Sequence, residues 1–227
     1  MHCLLALVAA AVFATASPSP SPAPAVGWTG PLLAPGAGTL PPGGMLIEPY
    51  VYDEISGHHG QLGSLTYLIY GVADRFSAGF LPGSSGSSLY AQYGLGTQHT
   101  GSAMPSSAIA FEETFPSSNK LLLNTQEVLA AGSGHLLRIR LDTSFAFPDD
   151  TLSLDAATEF NLTRHWVLAT DTVYSRVSPG IASYVVAPAV EYNWSAALGV
   201  IAGVRYGVPN AANARSIAPV IAVNYIR

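Results

Sequence analysis

Nine charged residues draw attention because alternation places them all on one side of an otherwise apolar pattern: Glu48, Arg138, Arg140, Asp142, Asp155, Glu159, Asp171, Glu191 and Arg205. Six acids and three arginines give the set a formal charge of −3. Such a set can line a polar conduit with weak cation preference, or a binding site. It can also pair into a salt-bridge lattice that fills and stiffens a narrow interior, the reading that small barrels with side-chain-filled lumens favour. Asp155, Glu159 and Asp171 lie on adjacent segments, and paired carboxylates can do acid–base work. The nearer expectation is that they face Arg138 and Arg140 on the preceding segment.

No other reactive side chain is arranged for catalysis. His99, His135 and His165 and many serines are present, but no spacing marks a nucleophile with its base. His58-His59 lies in a glycine-flanked loop, expected to be extracellular, without the converging ligands that a metal needs. The expectation is no enzyme, no metal and no cofactor. The net charge is −5 and Lys120 is the single lysine, so nothing suggests a nucleic-acid partner.

The elements that must carry the nine charges are strands. From His135 to Phe147, Leu137, Ile139, Leu141, Thr143, Phe145 and Phe147 fall on one face, and Arg138, Arg140, Asp142, Ser144 and Ala146 on the other. Period two is the signature of a strand; a helix with this order would scatter its charges around its circumference. The design repeats in 151–161, where Leu152, Leu154, Ala156, Thr158 and Phe160 oppose Ser153, Asp155, Ala157, Glu159 and Asn161. Pro148-Asp149-Asp150 between them is turn chemistry.

Read this way, the chain holds strands at 45–53, 62–71, 75–82, 88–95, 106–115, 120–129, 134–147, 151–161, 165–176, 182–193, 197–207 and 216–226. Tight turns at 72–74, 162–164 and 194–196 all follow even-numbered strands. Short turns of outer-membrane barrels lie on the periplasmic side, so this parity supports an even count and periplasmic termini. Pro49, Pro188 and Pro219 fall inside strands and predict bulges or strand starts, because each lacks a ladder donor.

Composition says what surrounds the sheet. Apolar residues make up 49% of the 227, yet only 10% are charged, against roughly 25% in an ordinary soluble domain. No mature stretch approaches the roughly 18 apolar residues of a spanning helix. A soluble sandwich also alternates, but its second face meets water and carries Lys and Glu. Here the second face is Gly, Ala, Ser, Asn and a few pairable charges, which suits a crowded barrel interior. Arg or Lys on the lipid face would cost roughly 2–4 kcal/mol at midplane, which places the charges inside. Phe147, Phe160, Trp166, Tyr174, Tyr184, Tyr192, Trp194, Tyr206 and Tyr225 lie near strand ends, where interfacial girdles would sit.

Leu4 to Ala14 is an unbroken apolar run followed by Ala14-Thr15-Ala16, the pattern of a cleaved export signal. Cys3 precedes that run, so the exported chain would contain no cysteine. Three regions are expected: a signal peptide at 1–16, a Ser/Pro/Gly-rich periplasmic lead-in at 17–43, and a barrel at 44–227.

The segments HLLRIRLDTSFAF, LDAATEFNLTRHWVLATDTVY, VAPAVEYNWSAALGVIAGVRYGV and IAPVIAVNYIR resemble the MetA-pathway phenol-degradation transporter family, which is grouped with functional-amyloid exporter barrels. AGTLPPGGMLIEPYVYDE and YGVADRFSAGFLPG are similar in pattern. The resemblance covers 44–227, weakest over 83–119, and implies a twelve-stranded outer-membrane barrel. One departure concerns the last residue, Arg227, where such barrels commonly end in an aromatic read by the barrel-assembly machinery; Tyr225 fits the pattern.

The sequence thus predicts an all-β, transmembrane, antiparallel up-and-down barrel of about twelve strands in a bacterial outer membrane. Its partners would be membrane lipid, lipopolysaccharide, the assembly machinery and an unknown small-molecule or polypeptide substrate; the oligomeric state is left open. The expected function is a transporter or channel passing a small hydrophobic or aromatic substrate, or an exported polypeptide. The alternatives are a structural or adhesion barrel with a blocked lumen and, third, a barrel hydrolase.

Overall fold

The computed structural model describes residues 37–56, 59–96, 104–115, 118–130, 136–147, 150–177, 181–195, 197–208 and 216–227. The strands are β1 (Met45–Ser56), β2 (His59–Ala73), β3 (Phe76–Gly83), β4 (Gly86–Gly96), β5 (Ser106–Phe115), β6 (Ser118–Ala130), β7 (Leu136–Phe147), β8 (Thr151–Asn161), β9 (Trp166–Val177), β10 (Ile181–Asn193), β11 (Leu198–Val208) and β12 (Ser216–Ile226). Each pairs antiparallel with its chain neighbours, and β1 pairs with β12, so the sheet closes without an edge. Closure is what lets strands span lipid, because every backbone donor and acceptor then finds a partner within the sheet. Met45 and Arg227 exchange two 2.8 Å main-chain bonds at the closing seam. That rim is called the terminal rim below, and the opposite one the far rim. Every strand boundary lies within three residues of the sequence reading.

Alternation has a direct structural meaning. On β8, Asp155, Ala157 and Glu159 are buried, while Leu152 and Leu154 are exposed. Leu141, Leu168, Val190, Val204 and Ile221 join them in an exposed apolar belt around the ring. A contiguous belt of this extent is not tolerated in water; it is the lipid-facing surface of a transmembrane barrel.

Aromatic side chains bracket the belt. Trp166 packs on Tyr192 with ring centroids 4.7 Å apart near the terminal rim, and Tyr174 on Tyr184 at 5.0 Å near the far rim. Both are cross-strand partners of β9 and β10. Eight residues at about 3.3 Å each span about 26 Å along the strand. A tilt of about 40° reduces this to about 20 Å, near the roughly 25 Å band of such barrels.

The prolines do not make the expected bulges. Register shifts occur instead at Gly71/Ala73 and Gly94/Gly96. Pro49 pairs with Thr66 on one side, while the β1–β12 ladder skips it on the other. Pro188 pairs with Thr170, but β10–β11 skips it; Pro219 pairs with Val204, but β12–β1 skips it. Pro82, in β3, behaves the same way toward β2. A strand residue aims its N–H and C=O at the same neighbour, so a missing N–H interrupts one ladder and spares the other. The register continues unchanged beyond each gap.

Turn parity also needs correction. The three turns do follow β2, β8 and β10, but tightness is not confined to that rim. At the far rim, β3 and β4 are separated only by residues 84–85, and β7 and β8 only by 148–150. The β1–β2 connection is 57–58, so His59 belongs to a strand rather than a loop.

The signal and most of the lead-in fall outside the described residues. Residues 37–43, the end of that lead-in, cross the inner face of the terminal rim. Leu40 N donates to Ser77 Oγ at 2.9 Å, and Gln92 Nε2 to Gly38 O at 3.1 Å. Gly43 N donates to Gly71 O and Gly71 N to Gly44 O, at 2.8 and 2.9 Å. Gly43 has a φ of 81°, a conformation that glycine alone adopts without cost. A Cβ on Gly71 would lie 2.0 Å from Pro41 O, so this close crossing requires glycine there.

Candidate functional site

Inner-face side chains divide the lumen into two halves. The terminal half is packed. Leu40 joins Leu46, Ile69 and Ala110 there, in one apolar cluster that runs on through Leu81, Tyr90 and Leu122 toward the far half. A second, of Tyr50, Ala187, Ala189, Ile201, Val220 and Ala222, fills the side near the closing seam. Tyr50 and Tyr67 meet edge to face, with centroids 5.8 Å apart. Tyr90 Oη donates to Gln92 Oε1 at 2.5 Å, linking the cluster to the polar residue that holds Gly38.

The nine charges of the sequence reading all project from inner-face positions of the ring. Glu48 and Asp171 are fully buried, and Arg140, Asp142, Asp155, Glu159 and Glu191 are buried. Arg138 and Arg205 are half-buried. Glu159 is the hub of an ion-paired group: its Oε1 lies 2.8 Å from Arg140 Nη2 and its Oε2 3.4 Å from Arg138 Nη1. Register explains this choice, since Arg138 stands directly opposite Glu159 and Arg140 opposite the small Ala157, which leaves its guanidinium room to turn toward the same carboxylate. Opposite charges this close attract strongly where water is excluded, and burial makes each member costly to remove alone. Asn224 Nδ2 donates to Glu191 Oε1 at 3.2 Å across two strands. Arg205 sits over the Tyr52 ring, 5.7 Å from its centroid.

Two expectations about pairing change. Asp155 stands opposite Asp142 in the ladder, and Arg140 is its diagonal neighbour one inner-face step away. Asp171 lies in the same transverse row as Arg140, with Ala157 between them. A strand shifted by one residue presents its other face, so a pairing guessed from proximity in sequence is reliable only when the hairpin register is known.

Toward the far rim the packing opens into a cavity of about 360 Å³. Its polar wall comes from β7, β8 and β9, with Asp142, Asp155 and the serines Ser144, Ser153 and Ser175. Ser153 Oγ and Ser175 Oγ are 2.7 Å apart. The facing wall, from β2, β3 and β4, presents Leu65, Tyr67, Leu81 and Tyr90. Lys120 and Glu112 also line it, paired at 3.6 Å, with the lysine 39% exposed.

Glu112 and Lys120 were missed by the sequence reading, as were the inner tyrosines. Alternation could have found the first: Ala108, Ala110, Glu112 and Thr114 oppose Ile109, Phe111, Glu113 and Phe115. The adjacent Glu112-Glu113 pair hides that pattern. His165 belongs to the β8–β9 turn, where its Nδ1 is 2.6 Å from Asn193 O and its Nε2 accepts from Arg164 Nε at 2.9 Å. His58, His99 and His135 lie outside the described residues.

No family model matches the chain, and no curated protein matches it in sequence. Solved structures do resemble it. The NanC porin aligns with a TM-score of 0.59 at 11% identity, covering 79% of this chain and 98% of that one. The KdgM porin in complex with disordered oligogalacturonate aligns at 0.55 and 11%, with the same coverage. An outer membrane channel from Pseudomonas putida F1 aligns at 0.53 and 10%, covering 83% of this chain and 97% of that one. At these identities the likeness is one of fold, and that fold is the closed twelve-stranded transmembrane barrel.

Proposed function

We propose that this chain is an outer-membrane channel of restricted bore for a small molecule with an apolar or aromatic body. The observation that carries this reading is the far-rim vestibule, a cavity of about 360 Å³ with a carboxylate–hydroxyl wall facing a leucine–tyrosine wall. That volume suits a compact small molecule; an exported polypeptide would need a bore that the packed terminal half does not offer. The fold shared with porins and channels supports the outer-membrane location. In this reading the terminal rim is periplasmic, the belt meets lipid and lipopolysaccharide, and residues 37–43 narrow the periplasmic mouth. Membership of the phenol-degradation transporter family is part of the same proposal and rests on the segments quoted above.

The packed terminal half supports a second reading, a structural barrel with a closed lumen. An adhesion variant would have to be built by the far-rim connections, of which the described one at 84–85 is only two residues long. Conductance separates the two. Purified protein in planar bilayers is expected to show small, discrete conductance steps and to swell liposomes in small solutes. A folded barrel, verified by heat-modifiable mobility, that neither conducts nor swells liposomes would establish the closed-lumen reading instead.

A further inference from the structure

The vestibule holds a pair of acids for which packing and the one nearby arginine do not fully account. Asp142 and Asp155 stand directly opposite each other on β7 and β8 and both face inward. Opposed residues of an antiparallel pair have Cα atoms about 4.5–5.5 Å apart, a spacing at which like charges repel. The two are 4% and 9% exposed, and Asp142 Oδ1, Asp142 Oδ2 and Asp155 Oδ1 have no hydrogen-bond partner among the described residues. Arg140 lies one inner-face step away and its charge acts on both aspartates, but its close contact, at 2.8 Å, is with Glu159, so one guanidinium serves three acids; Lys120 pairs with Glu112 at 3.6 Å and Arg205 sits over the Tyr52 ring. One inner-face step toward the far rim, Ser144 and Ser153 oppose each other in the same ladder. Across the cavity lie Leu65, Tyr67 and Tyr90.

We propose that this vestibule binds a monovalent organic cation, a primary ammonium carried on an aromatic or short alkyl body; this rests on the vestibule being the ligand site of the channel reading. An ammonium has three donors and no acceptor. Two aspartate carboxyl groups and a serine hydroxyl supply three acceptors on one wall, and a bound positive charge favours the ionised form of the pair. The body of the ligand then lies against the facing wall, where tyrosine rings offer both apolar area and a negative face. An anion would meet two buried carboxylates. A calcium ion would need six to eight oxygen ligands, and among the described residues no three His, Cys, Asp or Glu side chains converge.

The probe series is 2-phenylethylamine, 2-phenylethanol and phenylacetate, which share one body and differ in the charge of the head. Isothermal titration into detergent-solubilised wild-type protein measures binding without requiring conduction. The amine is expected to bind at least tenfold more tightly than the alcohol, and the carboxylate not at all. Asp142→Asn with Asp155→Asn is expected to weaken the amine at least tenfold while leaving heat-modifiable mobility intact, because Asn keeps the size of Asp and carries no charge. Tyr90→Ala is expected to weaken amine and alcohol alike. Equal binding of amine and alcohol to the wild type, unchanged amine binding in the double variant, or displacement of the amine by calcium would each overturn the proposal. The ligand series on the wild type decides the matter even where a variant fails to fold. A protein that binds the amine and does not conduct would retain this site and lose the channel reading; one that conducts without binding would do the reverse.

Discussion

The wall from β6 to β9 and the wall from β10 through β12 to β3 are built from the same alternation, and they differ in both ladder and inner face. Between β6 and β7 the ladder runs unbroken from Asn119↔Phe147 to Ala130↔Leu136, and the β7–β8 and β8–β9 ladders are likewise continuous. The other wall is skipped at Pro49, Pro82, Pro188 and Pro219. The continuous wall carries Arg138, Arg140, Asp142, Asp155, Glu159 and Asp171 inward, whereas the interrupted one sets Glu48, Glu191 and Arg205 among Leu46, Tyr50, Ile69, Leu81, Ile201 and Val220. Buried charge demands fixed geometry, because a displaced partner leaves an uncompensated ion. Apolar packing is non-directional and tolerates a looser backbone.

That contrast can be broken in order of expected effect. Glu159→Ala strands the buried guanidinium of Arg140 beside the half-buried one of Arg138 and is expected to destabilise the barrel by about 3–5 kcal/mol, read from urea unfolding in lipid vesicles. A loss below about 1 kcal/mol would mean that the charged wall is no more demanding than the apolar one. Gly71→Ala drives a Cβ into Pro41 O, which would lie 2.0 Å away. The crossing segment 37–43 is expected to leave the terminal rim, with a several-fold rise in single-channel conductance; unchanged conductance would show that this segment does not limit the path.

Smaller effects sharpen the same comparison. On the apolar wall, Ile201→Val removes one methylene from a fully buried side chain and is expected to cost about 0.5–1.5 kcal/mol in the same unfolding assay. Pro188→Ala restores a donor toward β11, worth about 0.5–1.5 kcal/mol, and gives back about 0.4–1 kcal/mol of chain entropy. Its net effect on stability is expected to be a few tenths of a kcal/mol. The clearer signal is slower amide hydrogen exchange in β11 around Val204, and exchange that does not slow would mean that the gap has another cause.

How much of this was legible beforehand follows from the physics of each feature. Strand positions were readable within three residues even for 88–95 and 120–129, because turn residues and alternation are local properties. The outward placement of Trp166, Tyr192, Tyr174 and Tyr184 was equally local. The proline geometry was not, since a sequence does not say which neighbour a given N–H would have faced. The engagement of Leu40 with Ser77 and of Gly38 with Gln92 joins residues far apart in the chain, and no periodicity announces it.

The sequence by itself determined which side chains enter the lumen: parity along a strand assigns every residue a face, and desolvation sends the charges inward. Only the tertiary structure decided which of them meet. Hairpin register set Glu159 between Arg138 and Arg140 and put Asp155 opposite Asp142. Closure of the ring brought the tyrosines of β2 and β4 across from the carboxylates of β7 and β8. A face is a property of one strand, whereas a meeting across a lumen depends on register and closure summed over twelve.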